Sequence, residues 1–194
     1  NVNLSRTQCA DQALVERIAS LLDESEVAPY SIGFEMTESV MADDEAVLPM
    51  LRQLKTRNVS LLLDDFGTGY SSLANLRQFP IDAIKIDRSF LAELGHAHDS
   101  AEIVRAIVTL AHSLAMDVTV EGVETEAQLR FVTNLGCEYA QGFYFAPAVN
   151  VAAATAAIAE GFRVSRPPPM SGARSRKTSS RGRLLVVHSD RNRR

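Results

Sequence analysis

Short apolar runs alternate along the chain with longer segments of helical periodicity. The runs Val2–Leu4, Ser31–Met36, Val59–Leu63, Ala83–Ile86, Val118–Val120 and Tyr139–Phe145 predict strands. Between them, Glu102–Ala115 is the clearest amphipathic helix, with Ile103, Ile107, Leu110 and Leu114 on one face. Asp99 is placed to cap its start, with Glu102 three residues on. Thr125 and Gln128 repeat that spacing at the next helix, and Gly136 is suited to end it in a left-handed cap. Runs such as Val59–Leu63 are apolar almost throughout, the pattern of strands covered by helices on both faces.

Strand–helix alternation predicts an α/β fold with a parallel sheet, either open and doubly wound or closed as a barrel. No Gly-rich phosphate loop follows the first strand, which weakens the dinucleotide-binding alternative. Polar or charged residues end nearly every predicted strand instead: Asn3, Glu35, Asp64 with Asp65, Lys85 with Asp87, Glu121 and Gln141. A TIM-like (β/α)8 barrel carries its active site on that rim. About six strand–helix units are visible where such a barrel has eight. The chain starts at Asn1 without an initiator Met and reads as a piece of something longer, with two N-terminal units missing.

Charge divides the chain in two. Residues 163–194 hold ten Arg or Lys against the single acid Asp190, a net of +9, which leaves residues 1–162 at −13. The composition of 163–194, rich in Pro, Ser and Arg, predicts a disordered basic tail; a solvated segment without function in this chain is the favoured reading. The acidic body argues against wholesale nucleic-acid binding and suits a carboxylate site that needs divalent cations. Cys9 and Cys137 lack metal-ligand spacing and form no disulfide framework, so a cytoplasmic location is expected. No apolar run is long enough to span a membrane.

The acidic pair Asp64-Asp65 carries the chemistry. Two adjacent carboxylates at a strand end point different ways and repel, and burying them calls for a positive partner. A divalent metal is one answer; a solvated Asp-Asp turn is the bland one, weakened because Glu35 and Glu121 end strands too. A bridging carboxylate can hold two metals that clamp a phosphodiester. Lys85, the one cation ending a strand on this rim, could position water or developing charge, or simply pair with a neighbouring carboxylate. Gly67 and Gly69 free the following loop to adopt positive φ.

Five stretches are similar, in order, to the motif set of EAL domains, the cyclic di-GMP phosphodiesterases. They are Glu35-Met36-Thr37-Glu38, the nine residues from Asp64 to Ser72 (DDFGTGYSS), Lys85-Ile86-Asp87-Arg88-Ser89-Phe90, Glu121-Gly122-Val123-Glu124 and Gln141-Gly142. The resemblance runs from about residue 1 to about 150. It implies a two-metal site using Mg2+ or Mn2+ and hydrolysis of cyclic di-GMP to linear pGpG. It further implies Asn3, Glu35, Asp64, Asp65 and Glu121 as metal ligands, with Asp64 bridging, and Lys85, Glu121 and Asp65 as catalytic. Gln141 would stand at the site edge, Glu38 would anchor the loop made by Phe66–Ser72 (with Gly67, Thr68 and Gly69), and Glu124 would support the ligands from behind.

Two departures stand out. The namesake Glu-Ala-Leu and its following arginine, a metal ligand and a phosphate clamp in the family, are not in these 194 residues. Val120 stands where the family usually has alanine, and either crowds the site or is harmless. Three functions follow: a phosphodiesterase, impaired here; an inactive EAL-like module for nucleotide or protein binding; and a truncated barrel with open edges and marginal stability. Residues 1–162 form the EAL domain on this reading. A homodimer and an upstream sensor or cyclase-like domain are open as partners, with no membrane contact by this segment. Among Phe143, Tyr144 and Phe145, strand alternation puts two in the core; Met36, Met116 and Cys137 read as packing residues.

Overall fold

The computed structural model describes residues 1–11, 13–41, 44–67, 76–92, 98–147 and 149–159. The predicted basic tail, 163–194, lies outside them, as do Thr68 and Gly69. In chain order the elements are β1 (Val2–Asn3), α1 (Arg6–Cys9), α2 (Leu14–Ser25), β2 (Gly33–Thr37), a 3-10 turn (Glu38–Val40), α3 (Asp44–Lys55) and β3 (Ser60–Phe66). There follow β4 (Ala83–Ile86), α4 (Ser89–Ala92), α5 (His98–Ser113), β5 (Asp117–Val120), α6 (Glu126–Leu135), β6 (Tyr139–Ala140) and α7 (Val151–Ala159).

The six strands among the described residues are parallel and lie in sequence order, β1-β2-β3-β4-β5-β6, in one open sheet. Sequential parallel neighbours need a crossover each time, and the alternating helices supply it. Register settles which side chains share a face. Asn3 pairs with Glu35, Glu35 with Leu62, Leu62 with Ala83, and Lys85 with Thr119. The opposite face carries Phe34, Met36, Leu61, Leu63, Ile84, Ile86, Val118 and Val120, all buried in the hydrophobic core. Val120 pairs with Ile86 on that face, so its bulk packs into the core and does not crowd the rim.

The α6 boundaries follow the predicted chemistry. Thr125 and Gln128 form a reciprocal capping box, and Gly136 ends the helix at φ 85°. Other expectations shift. Helix α5 starts at His98, so Asp99 lies inside its first turn and does not precede it. Its buried stripe is Val104, Ile107, Val108 and Ala111, one step round from the predicted face, and Ile103 is 45% exposed. Small Val and Ala side chains at 104, 108 and 111 let the helix lie close to the sheet, and the larger Leu110 and Leu114 flank that contact, partly buried.

Strand β6 ends at Ala140, well short of Phe145, because the chain turns over Val123. Val123 N–H donates to the Gln141 carbonyl and Tyr144 N–H to the Val123 carbonyl, at 3.0 and 2.9 Å. A Cβ on Gly142 would stand 2.2 Å from the Val123 carbonyl oxygen, so only glycine fits the crossing. Tyr144 and Phe145 pack edge-to-face at 5.5 Å against the core, and Phe143 is exposed. Two of the three aromatics are therefore partly buried against the core, by a turn and not by strand alternation.

Candidate functional site

Lys85 is the centre of the rim. It leaves the middle of β4 on the face of Thr119, and is 1% exposed. Its Nζ lies 2.8 Å from Glu35 Oε2, 3.0 Å from Asp64 Oδ1 and 2.6 Å from Glu121 Oε1. Those carboxylates come from β2, from β3 and from the residue after β5, so three strands converge on the ammonium of a fourth. Burial by itself would lower the lysine pKa. The Glu121 charge, hydrogen bonds to Glu121 and Glu35, and the Asp64 charge outweigh that and hold it above the ordinary lysine value. Lys85 is therefore a cation at neutral pH that donates hydrogen bonds to these carboxylates.

The Asp64-Asp65 pair departs from the alternation expected of it. Strand β3 runs on through both residues, with a register shift against β4 between Leu63 and Phe66. Asp65 takes φ 56°, and its N–H donates to Asp64 Oδ1 at 3.0 Å. A bulge inserts one extra residue and re-aims the side chains around it. Here it brings both carboxylates to the same side. Carboxylate oxygens of Asp64, Asp65 and Glu121 all lie within 4.8 Å of one another. Aspartate is among the few residues besides glycine that visit left-handed backbone readily.

The donor set fits a divalent cation. Glu35, Asp64, Asp65 and Glu121 offer hard oxygen ligands, and Lys85 is the one cation paired with them among the described residues. Among the described residues four carboxylates stand against one ammonium in this cluster, and carboxylate oxygens are the ligands that hard cations take.

A cleft of about 480 Å³ opens beside the carboxylates, lined by Asn3, Leu4, Ser5, Arg6, Gln8, Glu35, Thr37, Asp64 and Asp65. Asn3 thus lines the same cleft as Glu35 and the aspartates. Gln141 follows β6 on the side of Thr119 and Glu121, and its Oε1 is a buried acceptor without a hydrogen-bond partner among the described residues. Glu38 Oε1 accepts the Gly67 N–H at 2.8 Å, tying the turn after β2 to the start of the loop after β3; Gly67 has φ 93°.

Glu124 is exposed, and its backbone N–H donates to Gln128 Oε1. It does not enter the carboxylate cluster, because the chain leaves the rim at Gly122 to start the α6 capping box. The Cys137 thiol, pushed up to about 12 by burial and then by Glu138, is no nucleophile.

Sequence reasoning missed Asn1, whose Nδ2 donates to Glu35 Oε1 at 2.8 Å, and Arg6 in the cleft wall. Asn1 was open to detection, since it stands two residues before Asn3 and shares its side of an extended chain. Arg6 carried no such signal.

Comparison with known proteins identifies the family. The chain matches the EAL domain family over residues 1–148. It is 47% identical over 143 residues to the bifunctional diguanylate cyclase/cyclic di-GMP phosphodiesterase MucR of Pseudomonas aeruginosa, covering 73% of this chain and 21% of that protein. It is 36% identical over 170 residues to the cyclic di-GMP phosphodiesterase NbdA of the same organism, covering 87% and 22%. The chain thus spans about a fifth of the length of these curated relatives. The solved MucR phosphodiesterase complex with c-di-GMP superposes with a TM-score of 0.67 at 46% identity, covering 70% of this chain and 56% of that one. The EAL domain of Mycobacterium smegmatis DcpA superposes at 0.79 with 37% identity, covering 84% and 73%. EAL domains form a TIM-like barrel, and the six parallel strands here follow its strand–helix alternation in a sheet that is not closed. On sequence, on fold and on the residues gathered at its rim, the chain belongs to the EAL domain family.

Proposed function

We propose that this chain carries the catalytic rim of a phosphodiesterase that opens cyclic di-GMP to linear pGpG, with Mg2+ or Mn2+ held by Asn3, Glu35, Asp64, Asp65 and Glu121. The observation that supports it best is the convergence of carboxylates from three strands on one buried lysine. Bound cations would lower the pKa of an attacking water and neutralise charge developing on the phosphate. The net change is addition of water across one phosphodiester bond, leaving a 5′-phosphate and a 3′-hydroxyl.

The chain's own residues have distinct parts. Lys85 stays protonated, and its ammonium meets three carboxylates; holding a water at Nζ requires one of these contacts to open. Gln141 Oε1 offers an acceptor to a donor entering the site. Glu38 fixes the loop at Gly67. The reading places the work in residues 1–162, in the cytoplasm, with a sensor or cyclase-like domain elsewhere in the protein and a homodimer as its assembly. The name of the relative MucR includes a cyclase, which supports such company.

One observation favours a second reading, a module that binds nucleotide or protein without turnover: the Lys85 ammonium already meets three carboxylates. The test is to incubate the purified chain with cyclic di-GMP and Mg2+ or Mn2+ and follow pGpG by chromatography, with Asp64→Ala as control. Product that vanishes in the control supports the first reading. Binding of cyclic di-GMP with no product supports the second.

A further inference from the structure

Glu35 is held from two directions. It is 1% exposed, and each of its carboxylate oxygens has its own partner. Oε2 meets Lys85 Nζ at 2.8 Å, and Oε1 meets Asn1 Nδ2 at 2.8 Å. A carboxylate only accepts, so the amide atom facing it must be nitrogen; the flipped amide would set oxygen against oxygen. The contact follows from register. Asn3 pairs with Glu35 across β1 and β2, and Asn1, two residues earlier, reaches the same face one step lower.

A second observation concerns the seat of that amide. Gly33 lies on β2 two residues before Glu35. A Cβ at Gly33 would stand 2.5 Å from Asn1 Oδ1 and 2.8 Å from Leu62 Cδ1. Gly33 is not among the glycines with positive φ. Its lack of a side chain is therefore needed for room and not for backbone conformation. Gly33 admits the Asn1 amide, and the amide in turn fixes Glu35.

We propose that Asn1 is a positioning residue for Glu35. Its N–H holds the carboxylate so that the group cannot swing both oxygens onto Lys85, and one direction stays available to a divalent cation. Partners of this kind, one bond removed from a metal, fix the ligand's orientation, and their loss commonly weakens metal affinity about 10–100-fold. The inference rests on the reading of the rim as a divalent-cation site.

The test is a titration of the purified protein with Mn2+ and no substrate, following the free ion by electron paramagnetic resonance. Asn1→Leu keeps the branched outline and removes the N–H; Gly33→Ala displaces the amide from the other side. Both should weaken Mn2+ binding about 10–100-fold, and Asn1→Gln, which keeps the donor, should regain most of it. A merely structural Asn1 would move the melting temperature of the cation-free protein and leave Mn2+ affinity alone. Unchanged affinity in Asn1→Leu, alongside lost affinity in Asp64→Ala, would overturn the inference and leave the proposed function standing. No Mn2+ uptake by the unaltered chain would overturn the cation reading of the rim and the inference with it.

Discussion

Lys85 does for this rim what a metal would otherwise have to do. Removing it leaves Glu35, Asp64 and Glu121 close together, the first two buried, without their shared counter-charge. Breaking a buried pair by deleting one partner costs about 3–5 kcal/mol. Lys85→Met should lower stability by that order in metal-free buffer, read by urea unfolding. Added Mn2+ should recover part of the loss in Lys85→Met and do less for the unaltered chain. A cation-independent loss would count against the electrostatic account. Asp65 makes a different demand, through its backbone at φ 56°. Asp65→Asn should keep the fold and weaken Mn2+ binding, because Asn tolerates left-handed backbone. Asp65→Val should lose a further ~1–2 kcal/mol in the same unfolding assay; equal stability of the two variants would show that the backbone there stores no such cost. The residue types Asp64, Asp65, Lys85, Glu35 and Glu121 were legible because each ends a predicted strand. That Asp64 and Asp65 share a side was not, since strict alternation sends neighbours to opposite faces and only the bulge against β4 undoes it.

Among the elements, β5 shows how the two ends of a strand differ. Its C-terminal end delivers Glu121 to the rim, and its N-terminal end holds a small acidic knot. Asp117 N–H donates to the Asp82 carbonyl at 2.9 Å, and Glu138 Oε2 accepts the Val118 N–H at 2.8 Å. Burial, then the Glu138 charge, raises the Asp117 pKa; His112 opposes them and Asp82 adds to them. A carboxyl whose pKa is higher folded than unfolded holds its proton more tightly in the native state. Its contribution is greatest below the unfolded value and is lost as pH rises through the folded one. Asp117→Asn should therefore stabilise the chain at neutral pH, with the gain shrinking to nothing in acid below the ordinary aspartate range. A pH series of thermal melts reads this, and a gain that persists at low pH would rule out the ionisation as its source. Element positions were the most readable feature of the chain. The six described strands overlap predicted runs, and β2 to β5, buried on both faces, stand out most clearly from amphipathic helices. The α5 stripe slipped by one residue because periodicity ranks Ile103 and Leu114 by size, whereas close packing on the sheet selects Val104 and Ala111. The end of β6 was hidden because the close crossing at the turn, Gly142 over Val123, joins residues distant in sequence.

At the scale of the whole molecule, the sheet formed by the described residues has two outer strands, β1 and β6, each of only two residues and each paired on one side there. The count of six strand–helix units was readable from sequence, since alternation alone reveals it; whether the outer strands meet depends on long-range pairing that no local pattern encodes. An open edge presents unpaired backbone groups and invites pairing with another chain. Apolar surface adds to this: Val2 is 50% exposed, and on α7 Val151 is 83% exposed. The interior face is nonetheless well buried at Leu62, Ala83 and Thr119, which lie below the rim. The centre of the sheet, β2 to β5, should accordingly hold while the edges fray. Hydrogen exchange should be slow for amides of β3 and β4 and fast for those of β1, β6 and α7. Calorimetry should give a broad transition with less than the ~0.7 kcal/mol per residue of enthalpy usual for globular domains, together with association that grows with concentration. A sharp two-state melt of a monomer with the full enthalpy, and uniform protection out to β1 and β6, would mean that the edges are closed by contacts other than the sheet's own, and that the rim is as rigid as in a complete barrel.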